Sequence, residues 1–247
     1  PDGWESVDIA RLPAGLHQAL ADILNVVESS GAPPGVMRAC DVSLIPKTDG
    51  CPHFSKLRPI SVCSIFWRMY ASIRLQGVVL KEQEKFFGGL PLFGCRLEHG
   101  CREATTAAAV YVEDRRSQMQ EVEGVFYDLE KAFDRIQICD GAPVWDVLHK
   151  AGWHPRVTRL IREQLRGMRR WMKINGTLTE ELGLGVDRRG LLQGCGFAAT
   201  IMNYISYTWV RMQFVGIPRP PLDRCRNLMI DDGVSSEAEW DAFCEVG

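Results

Sequence analysis

The sequence lacks an excess of charge of either sign, a C-x-x-C pair, and any repeated or low-complexity segment. Lys and Arg together number 29 and Asp and Glu number 31, which gives a formal net charge of −2 over 247 residues. Any nucleic-acid partner must therefore meet a local basic patch rather than an overall positive field. The nine cysteines are scattered, which is not typical of a small disulfide scaffold, and their spacing matches no common structural zinc site. We therefore expect an intracellular chain, nuclear or cytoplasmic, with no disulfide partner.

One charge-free stretch, residues 191–210, has the length of a membrane span. It contains Gln193 and Asn203, and Arg189 and Arg211 flank it closely. Polar amides are costly in hydrocarbon, so the stretch predicts a buried helix of a globular lobe and no membrane partner.

The hydrophobic fraction of 46% is enough for the core of one medium domain or two small lobes. Hydrophobic periodicity, turn residues and β-branched runs predict an α+β fold. Helices are predicted at 16–27, 60–79, 102–111, 143–151, 155–168 and 197–215, and strands at 41–46, 123–129 and 226–230, with a hairpin around Asn175-Gly176.

Two of the predicted strands end in carboxylates. Asp128 follows an apolar run, and Asp231 and Asp232 follow another. If these strands pair, Asp128 and Asp231 converge, and their mutual repulsion is relieved by a hard divalent cation with oxygen ligands. Two such ions would suit phosphoryl transfer. Taken alone, Asp231-Asp232-Gly233 is better explained as a plain tight turn, whereas together with the Asp128 segment the carboxylate site is the better explanation.

The segment around the first acid, FYDLEKAFD at 126–134, resembles motif A of the reverse transcriptases of non-LTR (LINE-type) retrotransposons. Further segments resemble that family in its own order. They are PDG at 1–3, LIPK at 44–47, LRPIS at 57–61, FGCR at 93–96, GLLQGC of motif B at 190–195 with Asn203 in the following helix, and MIDD of motif C at 229–232. The resemblance spans the whole chain.

The resemblance implies a right-hand polymerase with an antiparallel palm sheet flanked by helices. Residues 1–120 would be a fingers-like region with palm-entry helices, and 121–247 a palm truncated after motif C, with the thumb absent. The implied activity is RNA-directed DNA polymerase. Its implied partners are an RNA or DNA template with a primer and a dNTP, and its cofactor is a pair of Mg²⁺ ions, with Mn²⁺ as a possible substitute.

The resemblance also assigns roles to single residues. Asp128 and Asp231 match the metal-binding carboxylates, Asp232 the third acid, and the carbonyl of Leu129 a backbone ligand. The remaining matches concern the nucleotide. Lys47 and Arg58 match residues that meet the triphosphate, Phe133 matches the aromatic under the sugar that favours deoxynucleotides, and Gln193 and Gly194 match the loop that contacts nucleotide and template. Phe133 is equally compatible with ordinary core packing.

A local basic cluster lies between Arg156 and Lys173. Within it Arg159, Arg162 and Arg166 share one face of the predicted helix. Such a stripe suits a phosphate backbone, and a plain solvated helix face explains it equally well.

The chain also departs from the family pattern. Met229 and Ile230 stand where the family has Tyr and Ala, and Gly196 replaces the usual Pro after motif B. Two alternatives therefore remain beside an active reverse transcriptase. One is a catalytically inactive retrotransposon relic that still folds or binds nucleic acid. The other is a different template-dependent polymerase, such as an RNA-dependent RNA polymerase.

Overall fold

The computed structural model describes residues 1–47, 50, 53, 56–79, 83, 86–87, 92–96, 99–124, 128–174, 176–182 and 190–213. Helices in these ranges are α1 (Ser6–Ala10), α2 (Ala14–Ser30), α3 (Ile65–Arg74), α4 (Cys101–Ser117), α5 (Ala132–Arg135), α6 (Pro143–Lys150), α7 (Pro155–Gly167) and α8 (Gly196–Gln213). The strands are β1 (Ala39–Pro46), β2 (Leu57–Cys63), β3 (Arg169–Ile174) and β4 (Thr177–Glu181). A 3₁₀ turn covers Gly35–Arg38 and a π-helical turn covers Leu75–Val79. The predicted α+β class is confirmed.

The chain divides into two compact units. The first, called the sheet unit here, contains Pro1–Leu75 and Phe133–Ala198. The second, called the α4 unit, contains the described residues of Gln76–Ala132 and those after Ala198. The predicted boundary between 120 and 121 stays a prediction.

The four strands of the sheet unit form one mixed sheet in the order β2-β1-β3-β4. β1 pairs antiparallel with β2 through Cys40↔Cys63 to Pro46↔Leu57. It pairs parallel with β3, and β3 turns back into β4. The predicted strand at 41–46 and the predicted hairpin are confirmed as β1 and as β3 with β4. The predicted strand at 226–230 and residues 125–127 of that at 123–129 lie outside the described residues. Residues 123–124 and 128–129 are in no strand, so the strand prediction is wrong for them, and the antiparallel palm sheet stays a prediction.

The predicted helix at 60–79 is wrong in its first five residues, because β2 runs to Cys63, Ser64 is the N-cap and α3 begins only at Ile65. The β-branched Ile60 and Val62 face Ser43 and Asp41 across the antiparallel pair, and this pairing overrides the local helical pattern. The other predicted helices, at 16–27, 102–111, 143–151, 155–168 and 197–215, correspond to α2, α4, α6, α7 and α8. Residues 214–215 lie outside the described part.

The start of α3 is held by a residue far away in sequence. The amide of Ile65 donates to Oδ2 of Asp2 at 2.7 Å. The helix's own N-cap residue, Ser64, makes no side-chain cap. Asp2 therefore satisfies one of the free amides at the N-terminus of this helix.

The core of the sheet unit is aromatic and centres on Phe197. Its ring centroid lies 5.6 Å from that of Trp67, and 6.2 Å from those of Tyr70 and Trp153. Trp67 and Phe197 are both fully buried. Aromatic groups of this kind contribute large buried areas and prefer such tilted arrangements. The turn that precedes Phe197 is thereby anchored in the core.

The α4 unit has a smaller described core. Phe86 and Phe87 pack against Tyr204 and Tyr207 of α8, with centroid distances from 4.6 to 5.3 Å. Within the 17-residue α4, Ala104 is the one residue classed as buried. Among the described helices of the chain, none combines the length and apolarity that crossing a bilayer requires.

Candidate functional site

The LIPK and LRPIS segments form one antiparallel ribbon at the edge of the sheet. Ile45 lies opposite Arg58 in the register of β1 and β2. Beyond the last pair, the amide of Lys47 donates to the carbonyl of Lys56 at 3.0 Å. Both predicted triphosphate-binding side chains, Lys47 and Arg58, are exposed. Neither has an acidic partner among the described residues, so their charges are available to an anion.

The GLLQGC segment is a turn, Gly190–Cys195, that three main-chain hydrogen bonds hold at both ends. The amide of Gly190 donates to Ile136 O and that of Leu191 to Phe133 O, both at 2.7 Å. At the other end, the amide of Ser61 on β2 donates to the carbonyl of Gln193 at 2.7 Å. Motif B is thus fastened to the end of motif A and to the LRPIS strand.

Gly194 is required by the close approach of this turn to β2. Its φ is +106°, which L side chains rarely adopt, and a Cβ at this position would overlap the carbonyl oxygen of Ser61. Glycine alone combines this backbone conformation with that approach. Gln193 is half-buried beside it, and Gly194 itself is exposed.

Phe133 lies at the junction of motif A and motif B. It belongs to α5, its side chain is half-buried, and its carbonyl accepts the hydrogen bond from Leu191. Its predicted role under the sugar of a nucleotide stays a prediction. The structure brings four of the resembling segments, LIPK, LRPIS, the end of FYDLEKAFD, and GLLQGC, into direct main-chain contact within the sheet unit.

The predicted metal ligands of motif A belong to the α4 unit. Asp128 and Leu129 are half-buried and lie outside any helix or strand. The carboxylate of Asp128 has no hydrogen bond or ion pair with another described residue. The carbonyl of Leu129 accepts from the amide of Ala132 at 3.1 Å and closes a turn in which Lys131 has a φ of +54°. A carbonyl oxygen has two lone pairs, so this bond leaves it one for a further partner.

Asp231 and Asp232 lie outside the described residues, so the structure gives no distance between them and Asp128. Their convergence with Asp128 therefore stays a prediction. Within the described ranges, no group of three or more His, Cys, Asp or Glu side chains is arranged to hold a metal ion. The half-exposed, unpaired carboxylate of Asp128 is the kind of hard oxygen ligand that Mg²⁺ takes, so the described part of the site fits such an ion in its donor chemistry.

The three arginines of the predicted nucleic-acid stripe lie on α7 and have partners within the protein. Arg159 donates to the carbonyl of Ser29 at 2.7 Å and thereby caps the C-terminus of α2. Arg162 and Arg166 both approach Asp140, at 3.5 and 2.8 Å. Their charges are thus partly engaged internally, and their contact with a nucleic acid stays a prediction.

The FGCR segment contacts the helix that follows motif B, both in the α4 unit. Nδ2 of Asn203 donates to the carbonyl of Gly94 at 2.5 Å. The neighbouring Arg96 is nearly buried, donates to Leu92 O at 2.8 Å, and stacks over Phe87. These contacts fix the segment onto α8 and give it a structural role.

Sequence reasoning missed a cluster of buried thiols behind the motif B turn. Cys40 of β1 lies opposite Cys63 of β2, and the docking of the turn on β2 brings Cys195 toward Cys63, whose raised pKa has Cys195 and Cys40 among its causes. The indole Nε1 of Trp67, 128 positions earlier, donates to Sγ of Cys195 at 3.4 Å. No local sequence pattern predicts such a cluster, because only the pairing of β1 with β2 and the docking of the turn bring these side chains together.

Comparison with known families and with curated proteins finds no match to this chain.

Proposed function

We propose that this chain is the fingers and palm of a right-hand polymerase, and that it acts as an RNA-directed DNA polymerase of the LINE type. The reaction is template-directed transfer of a dNMP to the 3′-OH of a primer on an RNA or DNA template. The proposal rests first on the ordered resemblance of the motifs along the chain.

One structural observation supports it above the others. The hydrogen bond from Ser61 to Gln193, with Gly194 pressed against Ser61, joins two segments that are remote in sequence. The same turn is joined to Phe133 and Ile136 at the end of motif A. Segments that serve one nucleotide must lie side by side, whereas segments with chance similarity have no reason to be neighbours.

In the proposed mechanism the protein positions the reactants and neutralises charge. Lys47 and Arg58 bind the triphosphate oxygens, the first as a point charge and the second as a planar fork. Phe133 lies under the sugar and leaves no room for a 2′-hydroxyl. Gln193 hydrogen-bonds the nucleotide, and the absence of a side chain at Gly194 lets the backbone approach it.

Asp128 and Asp231, with Asp232 and the carbonyl of Leu129, would hold the metal ions. When bound, two Mg²⁺ ions supply activation of the attacking hydroxyl and stabilisation of the leaving pyrophosphate. The unpaired carboxylate of Asp128 suits this role, since no described residue competes for its oxygens.

Primer extension tests the proposal. The chain is incubated with a primed RNA template, dNTPs, and Mg²⁺ or Mn²⁺, beside Asp128→Asn and the control Asp146→Asn, which changes an exposed aspartate on α6. We expect extension by the wild type and the control and none by Asp128→Asn. Equal signals from wild type and Asp128→Asn, whether extension or none, would contradict the proposal, and no extension is the result expected of an inactive relic.

The choice of nucleotide tests the second part of the proposal. We expect the wild type to incorporate dNTPs far better than rNTPs, because of the ring of Phe133. Equal use of the two nucleotide classes would favour an RNA-dependent RNA polymerase and contradict the assigned role of Phe133.

A further inference from the structure

Three thiols form a buried cluster where β1, β2 and the motif B turn meet. Cys40, Cys63 and Cys195 are 0%, 1% and 7% exposed. Cys40 lies opposite Cys63 in the register of β1 and β2, and Cys195 follows Gly194, which is pressed against Ser61 two residues before Cys63. All three belong to the sheet unit and none forms a disulfide. The strand pairing and the docking of the turn on β2 therefore bring the three thiols to one place in the core.

Cys195 is the member of the cluster with the strongest set of donors. Its Sγ accepts from the indole Nε1 of Trp67 at 3.4 Å, and the amides of Phe197 and Ala198, in the first turn of α8, also point to it. The positive end of an 18-residue helix therefore faces the sulfur. The hydrogen bond from Cys63 and these donors outweigh burial and lower the pKa of Cys195 to about 7.

Cys63 has the opposite character. Its hydrogen bonds to Cys195 and Cys40, together with burial, raise its pKa, so it stays a protonated thiol beside two sulfurs of lower pKa. The pKa of Cys40 is also lowered, mainly by its hydrogen bond to Cys63. Cys40 has no exposed surface, however, through which a reagent could reach it. The charged groups nearest this side of the cluster are Arg170, which favours the Cys40 thiolate, and Asp41, which opposes it.

We propose that Cys195 and Cys63 are an oxidation-sensitive pair, in which Cys195 reacts with a peroxide and Cys63 resolves the product into a disulfide. In the first step the Cys195 thiolate attacks H₂O₂, forms an S–O bond and breaks the O–O bond, which gives Cys195 sulfenic acid and hydroxide. In the second step the sulfur of Cys63 attacks the sulfenic sulfur. An S–S bond forms, the S–O bond breaks, and the Cys63 proton leaves with the hydroxyl as water.

The geometry makes the second step easier once the first has occurred. The Cys195 sulfur is the first of several causes that raise the pKa of Cys63, beside Cys40 and burial, and a neutral sulfenic acid lacks the negative charge that favours the Cys63 proton. The resulting bond would join the Gly190–Cys195 turn covalently to β2, two residues from the hydrogen bond between Ser61 and Gln193. Oxidation would therefore lock the turn onto the sheet. This chemistry does not depend on the proposed polymerase activity.

Peroxide titration of the whole chain, followed by proteolysis and mass mapping of thiols and disulfides, tests the pair. We expect a Cys63–Cys195 disulfide to form while circular dichroism shows a folded chain. Cys95, Cys101 and Cys139, which are exposed in the described part of the chain, serve as internal references. Cys195→Ser should abolish the linkage, whereas Cys40→Ser should retain it.

Trp67→Phe tests whether the hydrogen bond from the indole makes Cys195 more reactive, or whether Cys195 forms the disulfide only because Cys63 is near. It keeps a ring but removes the N–H donor, and we expect it to slow oxidation of Cys195 at pH 7 by roughly two- to ten-fold. The idea fails if Cys63 and Cys195 stay free at peroxide levels that oxidise the exposed cysteines. It also fails if Cys195 pairs with another cysteine, if Cys40 and Cys63 form the disulfide instead, or if Trp67→Phe leaves the rate unchanged.

Discussion

The turn Gly190–Cys195 and the segment Asp128–Lys131 both carry candidate site residues, and the protein holds them very differently. Main-chain hydrogen bonds of 2.7 Å fasten the turn at both ends, and Cys195 is buried in the aromatic core. In the other segment, one hydrogen bond of 3.1 Å closes a local turn, and the side chain of Asp128 has no described partner.

This difference indicates that substitutions in the two segments should affect stability to different degrees. The turn has a shape that the fold fixes in advance, so changes in it should affect stability as strongly as function. The carboxylate of Asp128 has no hydrogen bond or ion pair with a described residue, so changes in it should cost little stability. Substitutions should therefore cost progressively less free energy of unfolding from the turn to the carboxylate.

Gly194→Ala should have the largest effect. The added Cβ meets the carbonyl of Ser61 in a backbone conformation unfavourable for alanine. Strain and overpacking together predict a loss of about 2–4 kcal/mol in the free energy of unfolding. Denaturant titration measures it, and Gly15→Ala in α2, where a Cβ has open space, is the control. A loss as small as that of the control would show that the turn is not pressed against β2.

Asp2→Ala should come second, because it removes the distant cap of α3. We expect a loss of about 0.5–2 kcal/mol at neutral pH. Burial acts to raise the pKa of Asp2, but the nearby Ser64 and the hydrogen bonds from the amides of Ile65 and Trp4 outweigh it and lower the pKa below its usual value of 3.8. A lowered pKa stabilises the fold above the unfolded value and loses that effect as the pH falls through the folded value.

The difference between wild type and Asp2→Ala should therefore shrink below about pH 4. Urea titrations of both proteins at a series of pH values measure this difference. A gap that stays constant down to the lowest pH at which both fold would contradict the capping role of the Asp2 carboxylate.

Arg159→Ala should have a smaller effect, about 0.5–1.5 kcal/mol, since it removes one exposed hydrogen bond to Ser29. Arg156→Ala, on the same helix and exposed, is the matched control and should be neutral. Thermal unfolding compares the two, and salt-dependent binding of single-stranded RNA adds a second readout. If Arg159 contacts a phosphate backbone as well, Arg159→Ala should also reduce the salt dependence of binding.

Asp128→Asn should have the smallest effect on stability, within about 0.5 kcal/mol of wild type. The reason is that no described residue bonds to the carboxylate. Calorimetry of the two proteins measures it. A large loss of stability would mean that Asp128 is a structural residue, which would remove the basis for assigning it to chemistry.

Local pattern was sufficient for much of this fold. Helices such as α2 and α7 follow from periodicity, and α7 begins at Pro155 as its sequence indicates. The helix predicted from Ile60 failed because pairing with β1 decides that stretch. The parallel contact of β1 with β3 and the Asp2 cap depend on segments distant in sequence, which local propensity does not encode.

The same limit applies to the site. Lys47, Arg58, Gln193 and Gly194 are predicted from motifs, and their roles stay predictions. The glycine at 194 is itself a local indication of a close backbone approach. The partners Ser61, Trp67 and Cys63 were not found, because their roles exist only once β2 and the turn meet.

The most direct test of the polymerase assignment is single-nucleotide incorporation against four primed RNA templates that differ in the first unpaired base. We predict that the wild type adds only the complementary dNTP to each template. Asp128→Asn, folded as judged by its unfolding curve, should be slower by about a hundred-fold or more, since metal-assisted catalysis is worth several kcal/mol. Incorporation that ignores the template base, or that proceeds equally in Asp128→Asn, would contradict the account.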